Sequence, residues 1–241
     1  MNYNTIAHNA AINGDVELIK DIILHIPDLN YIASVAAQRG NLEVVKELIN
    51  AGANDYNYIA MYAANSGNLK LIQLLLSYGA NNLDEIAIEA VISNNKNILD
   101  LMIYLGVDNY NTLAYNAPKY GHRELVNYLI KYDANNYSQI ALIATENGFM
   151  DILIDMVKKG INNYNSLIIV AMRNYREEIV TYLFNKGVDN YQVIAYLAAE
   201  LGYVQLMKDL MDLNIDDYDG LITIAKNSGN IDIVKLLTKH E

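Results

Sequence analysis

Apolar residues recur along this chain in two alternating patterns. In one, Leu71, Ile72, Leu75 and Leu76 fall at i, i+1, i+4 and i+5, a single broad helical stripe. The same quartet returns as Ile98, Leu99, Met102 and Ile103, then as Leu125, Val126, Leu129 and Ile130. In the other, the recurring residues are small: Ala60, Ala63 and Ala64, or Ala7, Ala10 and Ala11. Small side chains let neighbouring backbones approach closely. The pattern therefore predicts alternating helices, an alanine-faced first helix followed by a second helix with a bulky stripe.

The punctuation between them has one period. Gly14, Gly40, Gly67, Asn94, Gly121, Gly148, Tyr175, Gly202 and Gly229 are spaced by 26 residues once and then by 27. Tyr110, Tyr137, Tyr164, Tyr191 and Tyr218 keep the same period, with Tyr56 two periods before Tyr110 and Leu83 between them. Nine units fill the chain: 3–28, 29–55, 56–82, 83–109, 110–136, 137–163, 164–190, 191–217 and 218–241, read as one array over 1–241. Asn57 is the expected N-cap of the first helix, with Asn4, Asn30, Asp84, Asn111, Ser138, Asn165, Gln192 and Asp219 at equivalent positions. Gly67 is expected to end that helix in the left-handed conformation, Asn68 to cap the second, and Gly79 to end it. Glu17, Glu43, Glu124, Asp151, Glu178 and Asp232 suit the positive ends of second helices. A helix of about ten residues is marginal alone in water, so each unit must bury its stripe on its neighbours. The expected fold is all-α, a solenoid of nine helix-turn-helix repeats.

Two segments carry a family resemblance. Thr5-Ile6-Ala7-His8-Asn9-Ala10-Ala11-Ile12-Asn13-Gly14 and Gly40-Asn41-Leu42-Glu43-Val44-Val45-Lys46-Glu47-Leu48-Ile49-Asn50-Ala51-Gly52-Ala53 resemble the ankyrin signature TPLHxAAxxGHLEVVxxLLxxGA. Gly67 and Gly79 stand 12 apart, as in that family, but the unit is 27 residues instead of 33. The missing six fall where ankyrin repeats carry a protruding β-hairpin, so no hairpins are expected. The repeats are also similar to those of ankyrin-type proteins of large DNA viruses. The resemblance implies a non-enzymatic module that binds a protein partner along the inner, concave face of first helices. It also implies an intracellular place, cytoplasmic in the host cell if viral. A structural or self-assembling repeat scaffold is the alternative. The TPLH proline and leucine are replaced here, and Pro118 inside a first helix is expected to kink it.

Composition narrows the functional classes. With no cysteine there is no disulfide, thiolate metal site or cysteine nucleophile. The net charge of −11 argues against a grip on nucleic-acid phosphates and favours a basic protein partner. The longest run free of polar atoms, Leu167 to Met172, is far below the roughly 20 residues a membrane helix needs, and the N-terminus shows no signal-peptide pattern. His8, His25, His122 and His240 are scattered through separate units, and no HExxH, GxSxG or GxxxxGK[ST] motif is present. No cofactor or metal is expected; Asp216, Asp217 and Asp219 read as a tight connection. Lys226, Lys235, Lys239 and His240 make the last repeat polar, as a finished monomer needs.

Within the repeat, the positions before the first glycine vary most: Gln38/Arg39, Asn65/Ser66, Ile92/Ser93, Lys119/Tyr120, Glu146/Asn147, Arg173/Asn174 and Glu200/Leu201. Arg39, Lys119, Tyr120, Glu146 and Arg173 are the candidate partner contacts, because such side chains anchor interfaces. Unselected drift at exposed sites gives the same pattern. The tyrosine column reads either as a recognition strip or as packing, with Tyr56 stapling against Met61 ahead of the Asn57 cap. The chain has 32 Asn and 20 Tyr, an excess that AT-rich coding alone also produces.

Overall fold

A computed structural model describes residues 2–213 and 215–239. These residues form eighteen α-helices, and none of them is in a β-strand. They group into two compact units, Met1–Ala134 and Asn135–Glu241. The first unit contains α1 (Tyr3–Asn13), α2 (Val16–Ile22), α3 (Leu29–Gln38), α4 (Leu42–Asn50), α5 (Tyr56–Ser66), α6 (Leu69–Ser77), α7 (Leu83–Ile92), α8 (Lys96–Tyr104), α9 (Tyr110–Asn116) and α10 (Arg123–Lys131). The second contains α11 (Tyr137–Asn147), α12 (Met150–Lys158), α13 (Tyr164–Arg173), α14 (Glu177–Phe184), α15 (Tyr191–Leu201), α16 (Val204–Met211), α17 (Tyr218–Asn227) and α18 (Ile231–Thr238). Odd-numbered helices are the alanine-faced first helices and even-numbered ones carry the stripe. The all-helical, hairpin-free fold expected from the 27-residue period is the fold observed. No described helix is long and apolar enough to cross a membrane.

The two faces pack as their residues dictate. Leu71, Ile72 and Leu75 are fully buried, as are Ile98, Leu99, Met102 and Leu129, while Leu125 and Val126 are nearly so. The fourth stripe position, Leu76, Ile103 or Ile130, is only half-buried. Alanines 7, 11, 60, 63 and 64 are sealed between helices. First helices stack in sequence, α1 on α3, α3 on α5, α5 on α7 and α7 on α9 in the first unit. In the second unit α11 packs on α13, α13 on α15 and α15 on α17. Each second helix lies against the first helix of its own repeat. Removing a short helix pair would uncover two such faces at once, so stability belongs to the stack.

All nine positions of the glycine register adopt positive φ, from +54° at Tyr175 to +87° at Gly148. Glycine is needed there for a second reason. A Cβ on Gly67 would stand 2.6 Å from Oδ1 of Asn95, and one on Gly202 would stand 2.9 Å from Oδ1 of Asn230. These asparagines stand at the N-cap position of the second helix of the following repeat, make no side-chain bond to that helix, and reach back over the turn. Asn41 Nδ2 donates to the carbonyls of Ala11 (2.7 Å) and Ile12 (3.2 Å), and Asn95 Nδ2 to those of Ala64 (2.7 Å) and Asn65 (3.2 Å). Asn230 Nδ2 meets Ala199 and Glu200 in the same way, both at 2.8 Å. The carbonyls at a helix end have no intrahelical partner, so one repeat satisfies the helix end of the one before. Asn68 does both jobs: Oδ1 accepts from its own Leu71 N–H and Nδ2 donates to the Gly40 carbonyl. His122, Arg176 and Tyr203 replace asparagine as donors to Ile92, Glu146 and Met172. The two positions of the register that are not glycine, Asn94 and Tyr175, lie one repeat before His122 and Tyr203, neither of which is an asparagine.

The first-helix caps differ from expectation. Asp55, not Asn57, caps α5, accepting from the Tyr58 N–H at 3.1 Å, and Asp28 and Asp217 cap α3 and α17 likewise. Asn57 lies inside the helix and reaches forward 24 residues, where its Oδ1 accepts from the Asn81 N–H at 2.8 Å. Asn30 accepts from Asn54 and Asp55, Asn165 from Asp189 and Asn190, and Gln192 from Asp216. Gln192, a poor cap, serves well as such a latch. Because the cap moves back, Tyr56 is the first helical residue and does not staple ahead of it; its ring stacks on Tyr78 at 5.4 Å. Tyr110 packs on Tyr132 at the same distance, and all six column tyrosines are half-buried. Tyr56 and Tyr110 thus have packing partners within the fold.

Pro118 acts as its chemistry requires: α9 stops at Asn116 and Ala117–Tyr120 tightens into a 3-10 turn. Lys226, Lys235 and Lys239 are exposed at the end of the second unit, and His240 lies outside the described residues.

Two substitutions test this account. Leu129→Ala removes a fully buried stripe residue and should lower unfolding free energy by about 2–5 kcal/mol in denaturant titration. An unchanged midpoint would show that the stripe does not face the core. Asn95→Ala deletes no cap bond, since its side chain caps nothing on α8, yet removes both bonds to the preceding repeat. It should cost about 1–2 kcal/mol, and an unchanged melting midpoint would show the latch to be dispensable.

Candidate functional site

The exposed ends of the first helices carry the variable positions. Arg39 follows α3 and Tyr120 ends the 3-10 turn after α9; both are exposed. Lys119 is half-buried: its Nζ bonds Asn116 Oδ1 at 3.1 Å and stands 4.5 Å from the Tyr115 ring centroid. Tyr120 stacks on His122 at 5.9 Å, next to the latch bond that this histidine makes. In the second unit Glu146 and Arg173 are exposed near the ends of α11 and α13. The Glu146 carbonyl, not its carboxylate, is held by Arg176. The carboxylate of Glu146 and the guanidinium of Arg173 are left to solvent.

The first unit adds residues that reading the variable pairs alone misses. Tyr58, Met61 and Tyr62 on α5 line a hollow of about 230 Å³ with Gln38, Asn65 and Glu89. Tyr58 and Tyr62 are one turn apart and meet edge to face at 5.0 Å. Glu89 faces them from α7. It is half-buried, makes no ion pair among the described residues, and burial raises its carboxyl above the usual range. The Tyr62 phenol is raised too, first by its hydrogen bond with Tyr58 and further by burial and the Glu89 charge. A signal for this hollow was present. Asn9, Val35, Tyr62, Glu89, Asn116, Ile143, Val170, Leu197 and Ile224 occupy one register position and vary as widely as the pairs before the glycine. An apolar hollow with aromatic rims and one carboxylate that lacks a cation suits a long basic side chain from outside.

Other acidic groups have structural work. Asp217 accepts from the Gly220 N–H at 2.9 Å and from the Tyr196 hydroxyl; the tyrosine, then the backbone bond, holds its carboxyl below the usual range. The Asp216–Asp219 segment is thus a capped connection.

A sequence model of the family described as Ankyrin repeats (3 copies) matches residues 7–86 and 33–114. This span is similar to ankyrin repeats, modules that generally mediate protein interaction. No curated protein matches the chain.

Glu89 makes a pH test possible. Its raised folded-state pKa means that the stack tolerates the neutral form better, a stability present at low pH and lost as pH rises through that pKa. Glu89→Gln should therefore raise the unfolding free energy at pH 7, by less than about 1 kcal/mol given its partial exposure, and the melting midpoint with it. It should leave the midpoint unchanged near pH 3. Equal midpoints at both pH values would show that burial places no strain on this charge.

Proposed function

We propose that these repeats form a non-enzymatic module that binds a basic protein partner on the inner face of the first helices. Arg39, Lys119, Tyr120, Glu146 and Arg173 are contacts at the helix ends, and the Tyr58–Tyr62–Glu89 hollow receives a basic side chain. The observation that carries this reading is Glu89. A carboxylate kept half-buried without a cation, against two tyrosines, costs the free protein stability that a partner's cation would return. The alanine faces and asparagine latches join repeats to one another, and Glu89 takes part in neither. The charge of −11 favours a basic partner whose association slows as salt rises.

The partner would be captured from the native host, identified by mass spectrometry, and its affinity measured by titration. Replacing Arg39, Lys119, Tyr120, Glu146 and Arg173 by Ala should keep helicity. Each change should cost about 0.5 kcal/mol or less, with Lys119 at the upper end because it is half-buried. The variant should lose the partner, and Tyr62→Ala with Glu89→Gln should weaken it at least tenfold. Full affinity in both variants would overturn the assignment of this face.

A further inference from the structure

A separate groove lies in the second unit, on different helices. Between α14 and α16 a groove of about 520 Å³ is walled by Val180, Phe184 and Leu206, with Tyr175 and Tyr203 beside them and Glu177 and Asp209 contributing carboxylates. That volume is in the range of small-ligand pockets. No lysine or arginine lines it, and neither carboxylate is in an ion pair among the described residues.

One junction of the first unit shows how such a place can be closed. Between α8 and α10 the same register positions hold Lys96, Asp100 and Tyr128, which correspond to Glu177, Thr181 and Asp209. There Tyr128 spans the junction and its hydroxyl donates to Asp100. Lys96 Nζ sits 3.9 Å from the Tyr128 ring centroid and 2.7 Å from Asp100. The junction is closed by an aromatic ring, a carboxylate and a cation of the chain's own. Burial and the Asp100 bond raise the Tyr128 phenol above its ordinary range. Between α14 and α16 the bridging ring is replaced by a short aspartate that turns to Gln205 on its own helix at 3.0 Å. The lysine is replaced by a glutamate. Ring and cation are both gone, and carboxylates and aromatic walls remain.

Tyr175 points the same way. It stands in the glycine register at φ +54°, is 67% exposed and borders the groove. A bulky residue at positive φ is strained, and an exposed ring held there has no packing reason. Tyr203 lies in the field of Glu177, which with burial raises its phenol.

We propose that this groove binds an arginine side chain presented by an extended basic segment of a partner protein, supplying the cation and planar group that Lys96 and Tyr128 supply at home. Arginine fits better than lysine. Its guanidinium has donors enough for carboxylates from two helices and a flat face for the rings. The site shares no residue with the first-helix surface, so either can fail alone.

The full chain would be titrated by calorimetry with the peptide acetyl-Gly-Leu-Arg-Leu-Gly-amide and with its citrulline counterpart, equal in shape and uncharged. The arginine peptide should bind, and the citrulline peptide at least tenfold more weakly. Glu177→Gln should lower affinity about tenfold. The triple variant Glu177→Lys, Thr181→Asp, Asp209→Tyr, which rebuilds the closed junction, should abolish binding with helicity unchanged. Absence of arginine-peptide binding at millimolar concentration, equal binding of the citrulline peptide, or full affinity in Glu177→Gln or the triple variant would each overturn the proposal.

Discussion

A side-chain amide that reaches one repeat back to the carbonyls at the end of a helix is the contact on which the stacking depends. Helix pairs this short cannot hold their stripes by themselves. Packing supplies the larger share of the free energy, but burial is non-directional and would tolerate neighbouring repeats sliding. The amide bonds set the register. Asn41, Asn68, Asn95 and Asn230 each tie the turn of one repeat to the next. From the other side Asn30, Asn57, Asn165 and Gln192 accept from the following connection. Where both bonds occur, as between the repeats joined by Asn57 and Asn95, the stack is pinned at the first helix's end and near its start.

The glycine register follows from the latch as much as from the turn. Asparagine tucks its amide so close over Gly67 and Gly202 that no Cβ fits. Where the latch is His122 or Tyr203, the register residue is Asn94 or Tyr175 and the backbone still bends through positive φ. Gly121 and Gly148 also precede residues other than asparagine, Phe149 and Arg176, so such a residue permits the loss of glycine without requiring it. This freedom is also how Tyr175 comes to stand exposed beside the α14–α16 groove.

The two hollows proposed above to meet a partner occur where the repeat departs from its own rules. In the tyrosine column, which recurs in six of the nine units, Tyr56 and Tyr110 pack against Tyr78 and Tyr132. The hollow at Tyr58, Tyr62 and Glu89 and the groove at Glu177 and Asp209 both sit at irregular positions. Each leaves a carboxylate without a cation beside aromatic walls. A repeat protein keeps its regular positions for self-association, and variation is affordable only where no neighbouring repeat needs the side chain.

The sequence by itself determined the period, the helix pair, the alanine and stripe faces, the positive-φ turns and the break at Pro118. These follow from local propensity and from 3.6-residue periodicity, which act within one unit. It also held the variable column that contains Tyr62 and Glu89, although only comparison of equivalent positions makes that visible. Local rules named Asn57 a cap, because an asparagine before an apolar run ordinarily accepts from its own helix. Only the tertiary structure decided that Asp55 caps and Asn57 latches. The partner of Asn57 lies 24 residues away and arrives beside it when the next repeat stacks. The hollow and the groove were settled in the same way. Each is a space between helices of different repeats, and a space has no residue of its own to announce it.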